Sequence, residues 1–332
     1  MLWNTIGHEN LINHLEQVIA ADKISHAYIF YGPEHVGKTT CALDLARAVN
    51  CTNQTTISCG ECQQCLRIIK EVHADIHVLS PERSDNKTSI GISDIRDVLH
   101  SSNMKPYEGS YRVTIIDEAE CMTEEASNAL LKTLEEPPDQ NLFFLITSQE
   151  SKLLSTIKSR CQLLYFSNIT KDIVREYLSS NYSLDPQKLE LVTSLSRGRL
   201  GWAIRAMRDE AVLNSRAASL ELFWELHRNG LDSGFNISEN MASDYFKNPK
   251  SIFNTLEHWH TLFRDIMIVK HVDNIYVHNI DVYEQIEEMS KKYLINNLID
   301  NISLILNASE QLKANVMPRL VLDNLVLKLH KN

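Results

Sequence analysis

The chain has 332 residues, 43% hydrophobic and 23% charged, the balance of a soluble globular protein long enough for two or three domains. No apolar run approaches the roughly 18 residues a membrane span requires. The opening Met1-Leu2-Trp3-Asn4-Thr5 also lacks the basic-then-apolar order of a secretory signal, so a cytoplasmic location without a membrane partner is expected. With 33 basic against 43 acidic residues the net charge is −10, which excludes a free-standing DNA binder, because phosphate neutralisation supplies most of that affinity.

In chain order, residues 5–10 read as a turn entering an amphipathic helix over 11–19, which would either pack on a nucleotide base or serve as a plain N-terminal helix. Ala27-Tyr28-Ile29-Phe30-Tyr31 reads as a buried strand. It runs into Gly32-Pro33-Glu34-His35-Val36-Gly37-Lys38-Thr39, which is G-x-x-x-x-G-K-T, and then into a helix over 41–49. Strand, loop and helix N-terminus together make a cavity of backbone N–H groups for phosphate oxygens. Gly32 and Gly37 allow the backbone to turn and approach closely. Lys38 would reach the β- and γ-phosphates of ATP or ADP, and Thr39, followed by Thr40, would hold Mg²⁺.

Of the seven cysteines, Cys51, Cys59, Cys62 and Cys65 are spaced C-x7-C-x2-C-x2-C within residues 50–66. Clustered thiols in a cytosolic chain are metal ligands more often than disulfides, and four thiolates make a closed, tetrahedral, structural Zn²⁺ site. His73 and His77 are read as ordinary polar residues, since the cysteines already complete the set. Residues 76–79 read as a strand, 81–87 as a polar loop, 93–99 as a capped helix start and 106–110 as a turn.

Val113-Thr114-Ile115-Ile116 reads as a buried strand ending in Asp117-Glu118, at the carboxyl edge where open α/β sheets bind ligands. Asp117 would hold Mg²⁺ through water, and Glu118 would polarise the attacking water if the site is active. A helix over 124–136 follows and is ended by Pro137-Pro138. Residues 142–146 read as the fourth strand, with Thr147 placed to face the γ-phosphate. An amphipathic helix over 153–161 carries Ser159-Arg160-Cys161 at its end.

On these residues the chain resembles the bacterial DNA polymerase III clamp-loader subunits of the AAA+ class, and within them most the delta-prime branch. The resemblance is carried by Ser25-His26-Ala27-Tyr28 before the phosphate loop, the four-cysteine insert, and Ile116-Asp117-Glu118-Ala119-Glu120. It continues through Ala129-Leu130-Leu131-Lys132-Thr133-Leu134-Glu135-Glu136-Pro137-Pro138 and Thr156-Ile157-Lys158-Ser159-Arg160-Cys161-Gln162. Asn315-Val316-Met317-Pro318-Arg319-Leu320 matches in part, with Met317 where the family has a second Asn.

The resemblance implies an α/β AAA+ P-loop domain with a parallel sheet over 1–166. A small helical lid over 167–208, containing Arg197-Gly198-Arg199-Leu200-Gly201, and an all-α collar over 209–332 would follow. The residues agree: strand-like runs end near 168, and helical stretches such as 220–226 and 294–306 take over. The family's collar joins subunits into a ring, so Leu320, Leu322, Leu325 and Leu327 are interface or core.

By the same resemblance, Arg160 would act in trans, as an arginine finger in a neighbouring subunit's ATP site. The family's motor subunits carry a lid arginine that senses the γ-phosphate; Gly201 stands there, which argues against hydrolysis by this chain's own site. Ser155 replaces a proline, with no mechanistic reading. Implied partners are the motor and clamp-opening subunits, the sliding clamp, and primed DNA through the assembly, within a nucleotidyltransferase holoenzyme. An ATP-hydrolysing motor subunit (gamma/tau-like) and another P-loop ATPase such as a helicase loader are the alternatives.

Overall fold

A computed structural model describes residues 3–53, 58–81, 89–102, 104–271 and 276–331. The loop read over 81–87 lies outside them except for Pro81, as do Met1, Leu2 and residues 54–57 of the cysteine insert. By contact density the chain divides into two compact units. The first holds Met1–Val174 with Gly198–Gly201, the second Arg175–Arg197 with Trp202–Asn332.

In the first unit five strands form one parallel sheet: β1 (Ala27–Tyr31), β2 (Ile76–Leu79), β3 (Arg112–Ile116), β4 (Asn141–Thr147) and β5 (Gln162–Tyr165), in the order β2-β3-β4-β1-β5. β3 and β4 are buried along their whole length, as β-branched and aromatic runs in the middle of a parallel sheet must be. The two-residue period of a strand sorts their side chains onto two faces. Tyr28, Phe30, Val113, Ile115, Leu142 and Phe144 pack with Cys41, Ala42 and Leu45 of the helix Lys38–Asn50. Ile29, Ile116, Phe143 and Leu145 pack with Ala126, Leu130 and Leu134 of the helix Glu124–Glu135. That helix starts where the Thr123 side chain accepts from the Ala126 N–H, and stops before Pro137-Pro138.

Two expectations are corrected. Residues 153–161 hold a single helical turn, Ser155–Lys158, instead of a helix of that length. Gln162–Tyr165 adds a fifth strand that escaped the sequence reading, because an edge strand with exposed residues carries no buried apolar run.

The second unit is helical. Phe223, Trp259 and Phe263 centre its core, and the Trp259 indole N–H donates to the Ser219 carbonyl at 2.8 Å. Buried Arg216 is met by Asp281 and Asn279, so its charge is paired inside. Leu322 and Leu325 lie in this core, whereas Leu320 is 64% exposed. On the helix Ile295–Lys313 the residues Ile295, Ile299 and Leu306 are exposed at helical spacing. No helix among the described residues is long and apolar enough to cross a membrane.

Candidate functional site

Parallel pairing brings the ends of β1, β3 and β4 to one edge. Tyr31 stands opposite Thr147, and Ile116 opposite Leu145, so the segments after them converge. There the Thr39 hydroxyl donates to Asp117 Oδ2 at 3.0 Å, and the Glu118 backbone N–H donates to Asp117 Oδ1 at 3.0 Å. Residues 78 positions apart thus form the hydroxyl–carboxylate pair that a Mg²⁺-bound phosphate would need.

Lys38 is buried, and its ammonium donates to the loop's own carbonyls, Gly32 O at 2.7 Å and Pro33 O at 2.5 Å. Burial pulls its pKa below the usual lysine value, while Glu34, Glu120 and Asp117 pull it back up. Thr40, half-buried, opens the helix beside Thr39. Glu118 sits in a left-handed turn at φ 51°, and the Cys121 thiol reaches its Oε2 at 3.9 Å. Thr147 is buried, and its hydroxyl accepts from the Gln149 N–H at 2.9 Å, closing the turn after β4.

The loop is braced from three sides. His8 donates through Nε2 to the Val36 carbonyl at 3.1 Å and packs edge-on against Phe166 with ring centroids 5.0 Å apart. The Gly201 N–H donates to the His35 carbonyl at 2.8 Å, and a Cβ at 201 would meet that oxygen at 2.9 Å. Gly32, at φ +136°, lies so near β5's end that a Cβ would meet the Phe166 carbonyl oxygen at 2.1 Å. Gly32→Ala is therefore expected to cost about 3–5 kcal/mol, combining a forbidden φ with a backbone collision. Gly37→Ala, with φ +100° but open space, is expected to cost about 1 kcal/mol. Thermal denaturation of the two variants checks the order.

The cysteine cluster forms as the spacing predicts. The Cys51, Cys59, Cys62 and Cys65 sulfurs all lie within 4.8 Å of one another, a set that one ion with Zn–S bonds of about 2.3 Å would draw together. Backbone N–H groups of Cys59, Cys62 and Cys65 donate to the sulfurs of Cys51, Cys59 and Cys62 at 3.3–3.5 Å. Burial pushes the Cys62 thiol up, but hydrogen bonds from Thr52 and Cys65 outweigh it and bring it to about 6. Burial raises Cys65 to about 12. A bound Zn²⁺ would override that difference by deprotonating all four. His73 stays apart, its Nε2 on Gln64 Oε1 at 2.6 Å.

Arg160 lies elsewhere. Its side chain is 32% exposed, and its guanidinium bonds to Glu135 at 2.5 Å, to the Thr156 carbonyl at 2.8 Å and to the Ser159 hydroxyl at 3.2 Å. Because β5 runs parallel to β1 with Tyr28 opposite Gln162, Arg160 stands at the amino edge of the sheet. Residues the sequence reading passed over are Glu135, which holds Arg160, His8, which touches the loop, and Glu120. The signals for Glu120 were a third acid shortly after β3 and its place in the Ile116–Glu120 stretch that carries the resemblance.

Residues 7–170 match the sequence profile of the family described as DNA polymerase III, delta subunit. The tau subunit of DNA polymerase III from Bacillus subtilis (strain 168) is 26% identical over 346 residues, covering 98% of this chain; the chain spans 61% of that protein. The delta' subunit of the same organism is 28% identical over 313 residues, covering 94% of this chain and 93% of its own length. Among solved structures, a DNA polymerase III gamma subunit-related protein from Thermotoga maritima MSB8 is 19% identical, covering 96% of this chain and 98% of its own, with a TM-score of 0.42. With the phosphate loop, the acidic pair and the sheet order in place, the chain is similar over nearly its whole length to bacterial DNA polymerase III clamp-loader subunits.

Proposed function

We propose that this chain is the delta-prime-like subunit of its clamp loader, a cytoplasmic protein that helps place the sliding clamp on primed DNA. In this reading it supplies Arg160 to the ATP site of a neighbouring motor subunit. The position of Arg160 carries the proposal. It precedes β5 at the amino edge of the sheet, whereas the chain's own phosphate loop leaves β1 at the carboxyl edge. About six residues of strand at roughly 3.3 Å each separate the two levels, near 20 Å, so any phosphate Arg160 meets belongs to another chain. Gly201 supports the same role: its backbone lies against His35, where the family's motor subunits present an arginine.

The chain's own loop then binds ATP or ADP with Mg²⁺ without turnover, through Gly32, Gly37, Lys38, Thr39, Thr40 and Asp117, with Thr147 beside it. The cysteine insert holds a structural Zn²⁺. A three-part division into a P-loop domain (1–166), a lid (167–208) and a collar (209–332) completes the reading. The contact between Thr39 and Asp117 favours the alternative of an active motor subunit, in which Glu118 would polarise water.

The discriminating experiment is steady-state ATPase of the purified chain, followed by co-purification with motor and clamp-opening subunits. The expected result is nucleotide binding without turnover by the chain alone, and a stable complex. Ile299→Asp with Leu306→Asp should abolish co-purification while the far-ultraviolet circular dichroism stays unchanged, because both side chains are already in water in the isolated chain. Brisk hydrolysis by the chain alone would establish the motor reading instead.

A further inference from the structure

Glu120 stands three residues beyond Asp117, in the turn Ala119–Cys121 that follows β3. Its Oε1 accepts from the Ser148 backbone N–H at 3.0 Å and from the Ser148 hydroxyl at 2.7 Å, linking the segments after β3 and β4. Its other oxygen, Oε2, is buried and has no hydrogen-bond partner among the described residues. A carboxylate oxygen removed from water without a compensating donor is unfavourable, and folded proteins keep such atoms rare.

The surroundings give that atom a consequence. The Lys38 ammonium feels the negative charge of Glu34, Glu120 and Asp117. Asp117 is occupied by the Thr39 hydroxyl and the Glu118 N–H, and Lys38 by the Gly32 and Pro33 carbonyls. Of these acids, Glu120 is the one with a buried carboxylate oxygen that no donor among the described residues meets. A polyphosphate entering here brings further negative charge into a place where burial weakens solvent screening.

We propose that Glu120 makes nucleotide binding by this chain conditional on a divalent cation: its unpaired oxygen repels a metal-free polyphosphate and tolerates the cation–nucleotide complex. The proposal rests on the reading of residues 32–40 as a nucleotide site. It adds to that site a residue that sets which form of nucleotide is accepted. The cation neutralises charge between the phosphates and the acids, so the same carboxylate that excludes free nucleotide becomes harmless once the cation is present.

The test is calorimetric titration of the full chain with ATP, once with Mg²⁺ and once with EDTA, for the wild type and Glu120→Gln. The amide keeps an oxygen for Ser148 while removing the charge, so the fold, followed by circular dichroism, should be retained. The expected result is that Glu120→Gln narrows the ratio of Mg²⁺ to EDTA affinities by about tenfold, chiefly by tightening the EDTA arm. Ser148→Ala, which leaves the charge in place, should keep the wild-type ratio. Binding with an identical ratio in wild type and Glu120→Gln would overturn the proposal and leave the nucleotide site intact. Binding by neither protein in either buffer would overturn the nucleotide site itself and the proposal with it. Metal-free binding by Glu120→Gln alone would support both.

Discussion

Arg160→Ala is expected to lower turnover at the one ATP site it enters in the reconstituted clamp loader by about a thousandfold or more, the range over which arginine fingers act on phosphoryl transfer. The same change should leave the isolated chain folded. Arg160 is partly exposed, and its ion pair with Glu135 lies at the surface, where such pairs contribute about 0–1 kcal/mol. The main stabilising contacts near it belong to Ile157, fully buried, and Cys161, nearly so. Truncating a solvated side chain beside them leaves no cavity. Assembly ATPase, measured beside the thermal midpoint of the isolated chain, separates the two effects. Wild-type turnover in an assembly shown to contain the variant would remove Arg160 from the mechanism. Arg160→Lys should recover little, because an ammonium cannot reproduce the planar fork of a guanidinium on phosphate oxygens.

Stripping Zn²⁺ with a strong chelator is expected to release about one ion per chain and to unravel the insert while the sheet persists. The helix Gln63–Ile69 begins at a Cys62 cap whose sulfur accepts from the Cys65 N–H, so its first turn and the metal ligands are the same residues. Leu66 and Ile69 are exposed, leaving Cys65 and Ile68 as the buried side chains of that helix. Apart from the ion, the helix is held by Gln64 on the Glu108 carbonyl and His73, and by the Arg67–Glu108 ion pair. Hydrogen exchange should show protection lost over 59–69 and kept in β1, β3 and β4, whose cores do not include the cluster. The pH dependence follows from proton competition for the thiolates: the metal leaves as pH falls and returns as pH rises. Protection that is indifferent to both chelator and acid would mean that the four sulfurs do not hold the insert together.

The phosphate loop, the acidic pair after β3 and the four-cysteine set were legible because each packs its chemistry into a short stretch with fixed spacing. Strand β1 and the helix Lys38–Asn50 were equally plain, since apolar periodicity is a local signal. The fifth strand was hidden: Gln162–Tyr165 is half solvated and exists through its pairing with β1, which no window of sequence contains. The run over 153–161 misled for a related reason. Its apolar spacing serves packing of Leu153 and Ile157 under the sheet, with a single turn of helix between them. The collar leucines divided only on folding: Leu322 and Leu325 turned inward and Leu320 outward, since a helix surrounded unevenly by neighbours hides just the stripe they cover.

By itself the order of residues determined that this protein carries a phosphate loop, a metal-type cysteine cluster and a sheet of buried strands, because each is a matter of neighbours along the chain. Tertiary structure alone decided which distant groups meet: Thr39 with Asp117, Glu120 with Ser148, Gly201 with His35, and Arg160 with Glu135 at the opposite edge from the loop. Those meetings depend on strand order, on parallel direction and on which end of each strand a residue follows. Such quantities are properties of the packed sheet, and they place Arg160 at one edge of it and the loop over residues 32–39 at the other.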